Sequence, residues 1–480
     1  MGGNYKYLAK NIGVLTISNF ATNLLSFFLV PLYTYILSTE EYGSYDLINT
    51  TIGLMVPILT INIMDGVLRY AISEESDKTH VFTVGMRYFL LSLLPVILLV
   101  GVNYRFNLIP VIADYSLYIL AMYVVTALQG IVVSMTRGID RVVSVSVAAV
   151  LGSATMIGGN LLFLLVFKWG LVGYFLANIL GLLVQSVYMF FAAKLYKYMM
   201  NPFCRFESYD RIRRQMAHYS LPLVANNVAW WVNSVSDRYV VTGICGVSDN
   251  GIYSIGYKIP SVLNIFQNIF NQAWILSAVK EYDSEDKDGF FSNLYKIYNC
   301  AMVMLCACIV AGDRILAAFL YQKEFYEAWK FVPFLTIAIV FGAMSGYIGG
   351  IFTAVERSDI FAKSTIAGAV VNIILNFALV YKMGPIGAAI ATAVAYFLVW
   401  IIRYYHVKQY MRLEIPIVRD LFSYGVLMAQ TLVILFMQEN FLMYAIQAVL
   451  ILLLLLLYRK DIYGLIAYVT KRGKNNGNNC

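Results

Sequence analysis

Three ionisable residues fall where the chain is otherwise apolar: Asp237 and Arg238, then Lys258 twenty residues on. The stretch between them, Gly246 to Asn250, reads as a turn, which puts Arg238 and Lys258 on two successive helices. At 1.5 Å per residue both then lie roughly 10–12 Å from that turn. Asp237 and Arg238 are sequence neighbours and point about 100° apart, so they face different partners. One arrangement lets Asp237 neutralise Lys258 and leaves Arg238 facing a cavity. The competing reading makes the three a structural cluster, or lets the two cations snorkel to the surface. If they bind a ligand, it is an anion, and the planar fork of Arg suits a phosphate or pyrophosphate. Amides accompany them: Asn19 and Asn23, then Asn226, Asn227 and Asn233, and below Lys258 the run Asn264, Gln267, Asn268, Asn271 and Gln272. Interhelical hydrogen bonding is their ordinary use, while amides at graded depths also suit a hydrated cavity that receives a sugar.

The elements that position these residues follow from composition. Of 480 residues, 60% are hydrophobic and 13% charged, against about 25% charged in soluble domains. The chain is a membrane protein. Cutting it at charged and Gly/Pro/Asn-rich breaks gives fourteen spans, near 11–37, 45–68, 82–104, 115–136, 142–167, 171–193, 217–245, 251–279, 290–312, 329–352, 360–381, 385–406, 419–437 and 441–457. Runs such as Ile451 to Leu457 do not alternate, which excludes a β-barrel. Twenty-seven of the 35 basic residues then fall in inner segments, Arg403 among them, and six in outer ones (Arg105, Lys168, Arg314, Lys323, Lys330 and Lys382). The asymmetry places both termini in the cytoplasm. The net charge of +8 is thus mostly topological and implies no nucleic acid.

The chain repeats itself. At an offset of 208 residues Gly43 falls on Gly251, Tyr45 on Tyr253 and Asn19 on Asn227, and Lys168 to Gly173 resembles Lys382 to Gly387 at an offset of 214. Six helices separate equivalent positions, so the repeats are parallel, with the substrate path expected between two bundles. The expected fold is an all-α polytopic membrane protein of about fourteen helices: a six-helix lobe over 1–200, a basic cytoplasmic linker over 201–216, a second six-helix lobe over 217–406, two additional helices over 407–458, and a basic cytoplasmic tail over 459–480.

Catalysis is poorly served by this layout. No Walker-type phosphate loop occurs, the longest inner and outer connections are short, and His80, His218 and His406 all sit at inner boundaries. The six cysteines have no metal-site spacing, and Cys300, Cys306 and Cys308 read as buried hydrophobes. No metal or cofactor is expected beyond a coupling ion, Na+ or H+. Asp65 and Arg69, four apart, are expected to form an ion pair that staples a helix end. The first apolar stretch has no cleavage site after it and reads as a retained helix.

Several segments carry a family resemblance: Val30-Pro31-Leu32-Tyr33, Thr39-Glu40-Glu41-Tyr42-Gly43-Ser44-Tyr45, Arg69, Ser236-Asp237-Arg238-Tyr239 and Gly251-Ile252-Tyr253-Ser254. In their order and in the twelve-plus-two layout the chain resembles the polysaccharide flippases of the multidrug/oligosaccharidyl-lipid/polysaccharide exporter superfamily. The resemblance implies a transporter, not an enzyme, in the bacterial cytoplasmic membrane. It would move undecaprenyl-pyrophosphate-linked repeat units for O-antigen, capsule or exopolysaccharide by alternating access, with Arg238 and Lys258 at the anionic head group. Its partners would be the lipid-linked oligosaccharide, the bilayer and other polysaccharide-assembly membrane proteins. Two rivals stay open: a multidrug or cation exporter of the same superfamily, and a membrane glycan polymerase or ligase.

Overall fold

The computed structural model describes residues 27–201, 207–280, 282–355 and 357–462, and among the described residues there are helices and turns but no strand. The chain divides into two compact units, Met1–Ser236 and Asp237–Cys480. The dividing line falls inside one helix, Glu207–Cys245.

The first unit contains α1 (Val30–Ile36), α2 (Thr39–Leu59), α3 (Ile63–Ile72), α4 (Lys78–Phe106), α5 (Pro110–Asp114), α6 (Ser116–Gly138), α7 (Val142–Asn160), α8 (Gly170–Ala192) and the first part of α9 (Glu207–Cys245). A capping box starts α2: Glu41 N donates to Ser38 Oγ at 3.1 Å and Ser38 N donates to Glu41 Oε2 at 2.8 Å, which satisfies two end donors reciprocally. Helices α2 and α3 are bent 59° at their junction. Pro57 weakens the last turn of α2, and Ile61 and Asn62 then take left-handed backbone angles (φ 50° and 52°) that no helix continues through. On the other side of the unit α9 is pinned to α2, with Trp231 Nε1 donating to Thr50 O at 2.9 Å.

The second unit holds the rest of α9, then α10 (Val247–Gly256), α11 (Lys258–Lys280), α12 (Phe290–Ala311), α13 (Asp313–Leu320), α14 (Val332–Ala354), α15 (Ser358–Met383), α16 (Pro385–Val407), α17 (Ile417–Phe436) and α18 (Phe441–Leu457). Helix α14 is apolar on all sides and correspondingly buried on all sides. Trp274 of α11 stacks on Tyr347 of α14 with centroids 4.1 Å apart and donates Nε1–H to Tyr347 O at 2.8 Å, while the Tyr347 hydroxyl donates to Phe291 O at 2.7 Å. The two last helices dock on α12 through buried polar groups: Tyr424 donates to Asn299 Oδ1 at 2.9 Å and Asn299 Nδ2 to the Tyr458 hydroxyl at 3.1 Å.

Among the described residues nine helices are long and apolar enough to cross a membrane, ten if the bent pair α2–α3 is one span. This is a multi-pass membrane protein. The expected seventh span lies within α9, and the eighth falls on the separate pieces α10 and α11. The fourteenth is the 17-residue α18, and most of the first lies outside the described residues. Helices α2 and α10 begin at Thr39 and Val247, 208 residues apart, and α8 and α16 are each 23 residues long after their Gly-containing turns. Cys300 and Cys306 are buried as expected, whereas Cys308 is exposed on α12: the helix turns that position away from the core.

Candidate functional site

The site is built where α9 meets the broken helix α10–α11. Gly246 joins α9 to α10 at φ +104°, an angle that a side chain would strain. Ten residues later the helix stops at Tyr257. Pro260 explains the stop: it has no N–H to give, and its ring conflicts with the carbonyl four residues back, at Gly256. Helix α11 restarts at Lys258, held by Ile259 N donating to the Tyr321 hydroxyl at 3.4 Å and by the Ser261 hydroxyl donating to Lys258 O at 2.6 Å. A cation therefore stands at the first residue of α11, just past the interruption.

Asp237 is buried, 3% exposed, and well supplied with donors. The Tyr253 hydroxyl donates to Oδ2 at 2.6 Å, the Tyr257 hydroxyl donates to the same oxygen at 2.7 Å, and Arg238 N donates to Oδ1 at 2.9 Å. The carboxylate thus fixes both tyrosine rings, which meet edge to face 5.4 Å apart. The Tyr257 ring in turn lies under the Arg238 guanidinium, 5.2 Å from its centroid, a cation–π geometry. Arg238 and Lys258 are both half-buried, and Tyr257, stacked with one and adjacent in sequence to the other, links them. Sequence reasoning missed Tyr253 and Tyr257. Their four-residue spacing puts them on one helix face, but nothing in the sequence shows that this face meets Asp237.

Below Lys258, Ser261, Asn264, Asn268 and Asn271 continue one face of α11 at three- and four-residue steps. Asn268 is exposed and Asn264 half-buried. The other expected amides are placed differently: Asn227 is half-buried on α9 in the first unit, and Asn19 and the Asn233 side chain lie outside the described residues. Asp65 does not pair with Arg69. It accepts instead from Asn62 Nδ2 at 2.6 Å, because the bend before α3 turns the Asn62 side chain onto the helix start, within reach of the first-turn carboxylate. Arg403, expected at an inner loop, is 3% exposed. It donates to Ser364 Oγ at 2.9 Å, Thr365 Oγ1 at 2.9 Å and Ser345 O at 2.8 Å, and so is held by neutral oxygens within the helix packing.

The architecture is that of the membrane transporters of the MOP superfamily. The chain matches the structure of the lipid II flippase MurJ in its inward closed conformation with a TM-score of 0.69, at 16% identity over 94% of this chain and 99% of that one. It matches an inward-facing multidrug resistance MATE family transporter with a TM-score of 0.65, at 14% identity over 82% of this chain and 97% of the other. Residues 8–275 match the family described as polysaccharide biosynthesis protein, and the chain belongs to that family. Among curated proteins it is similar to the probable low-salt glycan biosynthesis flippase Agl15 of Haloferax volcanii, 21% identical over 188 residues that make up 38% of this chain and 39% of that relative.

Proposed function

We propose that the protein flips lipid-linked oligosaccharides, of the undecaprenyl-pyrophosphate repeat-unit class, across the bacterial cytoplasmic membrane for surface polysaccharide assembly. The observation that carries this reading is the division of charge at the α9–α10–α11 junction. Asp237, the carboxylate next to Arg238, is buried and accepts from two tyrosine hydroxyls and a backbone amide. The cations, Arg238 and Lys258, are only half-buried, and Lys258 heads the amide face of α11. A site of this polarity attracts an anion and places hydrogen-bonding amides beside it, as a pyrophosphate carrying a glycan requires. The family and the glycan flippase relative support the same reading.

In this scheme Arg238 and Lys258 hold the head group, the amides receive the sugar, the lipid tail stays in the bilayer, and alternating access releases the head on the far side. An ion gradient, sodium or proton, or consumption of the flipped product drives the cycle. The test is reconstitution. Proteoliposomes of the full chain, supplied with a fluorescent undecaprenyl-pyrophosphate oligosaccharide, should expose it to an external quencher faster than protein-free vesicles. Clearance of cationic dyes with no movement of the lipid-linked glycan would instead identify a cation exporter.

A further inference from the structure

The second unit carries another cationic site, away from the α9–α10–α11 junction. Between the start of α15 and the end of α16 lies a cavity of about 350 Å³ lined by Arg357, Asp359, Lys363, Ser364, His406 and Tyr410, among others. Arg357 forks onto Asp359 at 2.8 and 3.0 Å, lies 5.0 Å over the Tyr410 ring and donates to the Tyr410 hydroxyl. Lys363 stands 4.0 Å from the same carboxylate and is mostly exposed. At the cavity wall Ser364 Oγ accepts from Arg403 Nε. Arg403 is buried, and among the described residues no carboxylate lies within ion-pair distance of it; all its hydrogen bonds go to neutral oxygens. Two cations therefore meet one carboxylate, and a third, Arg403 behind the wall, has no carboxylate beside it among the described residues. A buried, uncompensated charge is costly in a low-dielectric setting, so the cavity is a place where an anion is stabilised.

The surface beside it says which anion. Lys363 and Ala367 share a helical stripe with Val370, Ile374, Phe377 and Tyr381 of α15, and these last four are at least half exposed. An apolar stripe of this length on a spanning helix faces lipid. We infer that the cavity between α15 and α16 binds the phosphate of an anionic glycerophospholipid of the surrounding bilayer, with an acyl chain lying along the Val370–Phe377 stripe. Arg403, through Ser364, and Arg357 set its polarity, and Lys363 closes over the phosphate at the membrane boundary.

The test uses the full chain purified in detergent and native mass spectrometry. The parent, Lys363→Glu and Ala367→Trp, which fills the cavity without changing charge, are each titrated with phosphatidylglycerol, phosphatidylcholine and inorganic phosphate. The parent should hold phosphatidylglycerol at least about tenfold more tightly than phosphatidylcholine, and both variants should lose that preference. Should one variant fail to elute as a monodisperse species, the other decides the outcome. Undiminished phosphatidylglycerol binding in the folded variants overturns the inference. Displacement of the lipid by inorganic phosphate at equal concentration overturns it as well, because the site would then take the free anion.

Discussion

Tyr253 donates its hydroxyl proton to Asp237 at 2.6 Å, joining the middle of α10 to the last third of α9. Because Tyr257 bonds the same carboxylate oxygen at 2.7 Å and lies under Arg238, one buried acid sets the orientation of two rings and one guanidinium. In the proposed scheme the acid is a positioning group, and the cations meet the ligand.

Removing one of those bonds tests that division. Tyr253→Phe deletes a hydrogen bond to a charged, buried acceptor, worth about 1.5–3 kcal/mol. The thermal midpoint of the detergent-solubilised protein should fall accordingly, and transport should fall with it as the Tyr257 ring and Arg238 loosen. A midpoint unchanged from the parent would show that the carboxylate is satisfied without Tyr253.

Pro260 makes a second case, with opposite signs for stability and function. Pro260→Ala restores a backbone donor at the restart of α11 and relieves the conflict with Gly256 O, so α10 and α11 can join and the midpoint should rise. If the interruption sets where Lys258 stands relative to Asp237, transport should drop. A variant that gains stability and transports like the parent would make the break irrelevant to the site.

Gly246 isolates a backbone effect. An added Cβ there meets no atom within 4 Å, so Gly246→Ala tests φ +104° alone. The expected loss is about 1–3 kcal/mol, read by thermal unfolding. No loss would mean that the turn relaxes to a negative φ.

Asp313 predicts a pH dependence. It begins α13, outside the spanning segments, is fully buried, and neither carboxylate oxygen has a hydrogen-bond partner among the described residues. Burial raises its carboxyl well above the ordinary value of 3.8, with Arg314 opposing. A raised acid holds its proton more tightly when folded, so its favourable contribution is complete below the ordinary value and is lost as pH rises through the folded one. Asp313→Asn should therefore match the parent in acid and be more stable at pH 8. Parallel stability curves for the two proteins would contradict the assignment.

Composition and span length made the all-helical, multi-pass architecture legible, and the 208-residue offset located the starts of α2 and α10, because lipid imposes one helix length and one polarity. Three features needed the coordinates. The bend at Asn62 diverts Asp65 from Arg69, since side-chain spacing on an ideal helix does not survive a change of axis. Arg403 lies close enough to a helix end to pass for a loop cation, and only the oxygens that α14 and α15 bring to it show that it is buried. Tyr253 and Tyr257 read as two of 37 tyrosines until the coordinates place both hydroxyls on Asp237. At Asn62 and at Tyr257 regular helix is interrupted, and interruptions are where periodicity carries least information; the partners of Arg403 come from neighbouring helices, which one helix's periodicity does not report.

The central claim is that Arg238 and Lys258 hold the anionic head of the transported lipid. The most direct measurement is the rate at which proteoliposomes containing Arg238→Ala, Arg238→Lys or Lys258→Ala flip a fluorescent undecaprenyl-pyrophosphate oligosaccharide, at matched levels of correctly inserted protein. Losing a charge-assisted contact should slow both alanine variants about tenfold or more, with Arg238→Lys between them and the parent because a single ammonium replaces a two-pronged donor. Flipping by Arg238→Ala at the parent rate would contradict the account.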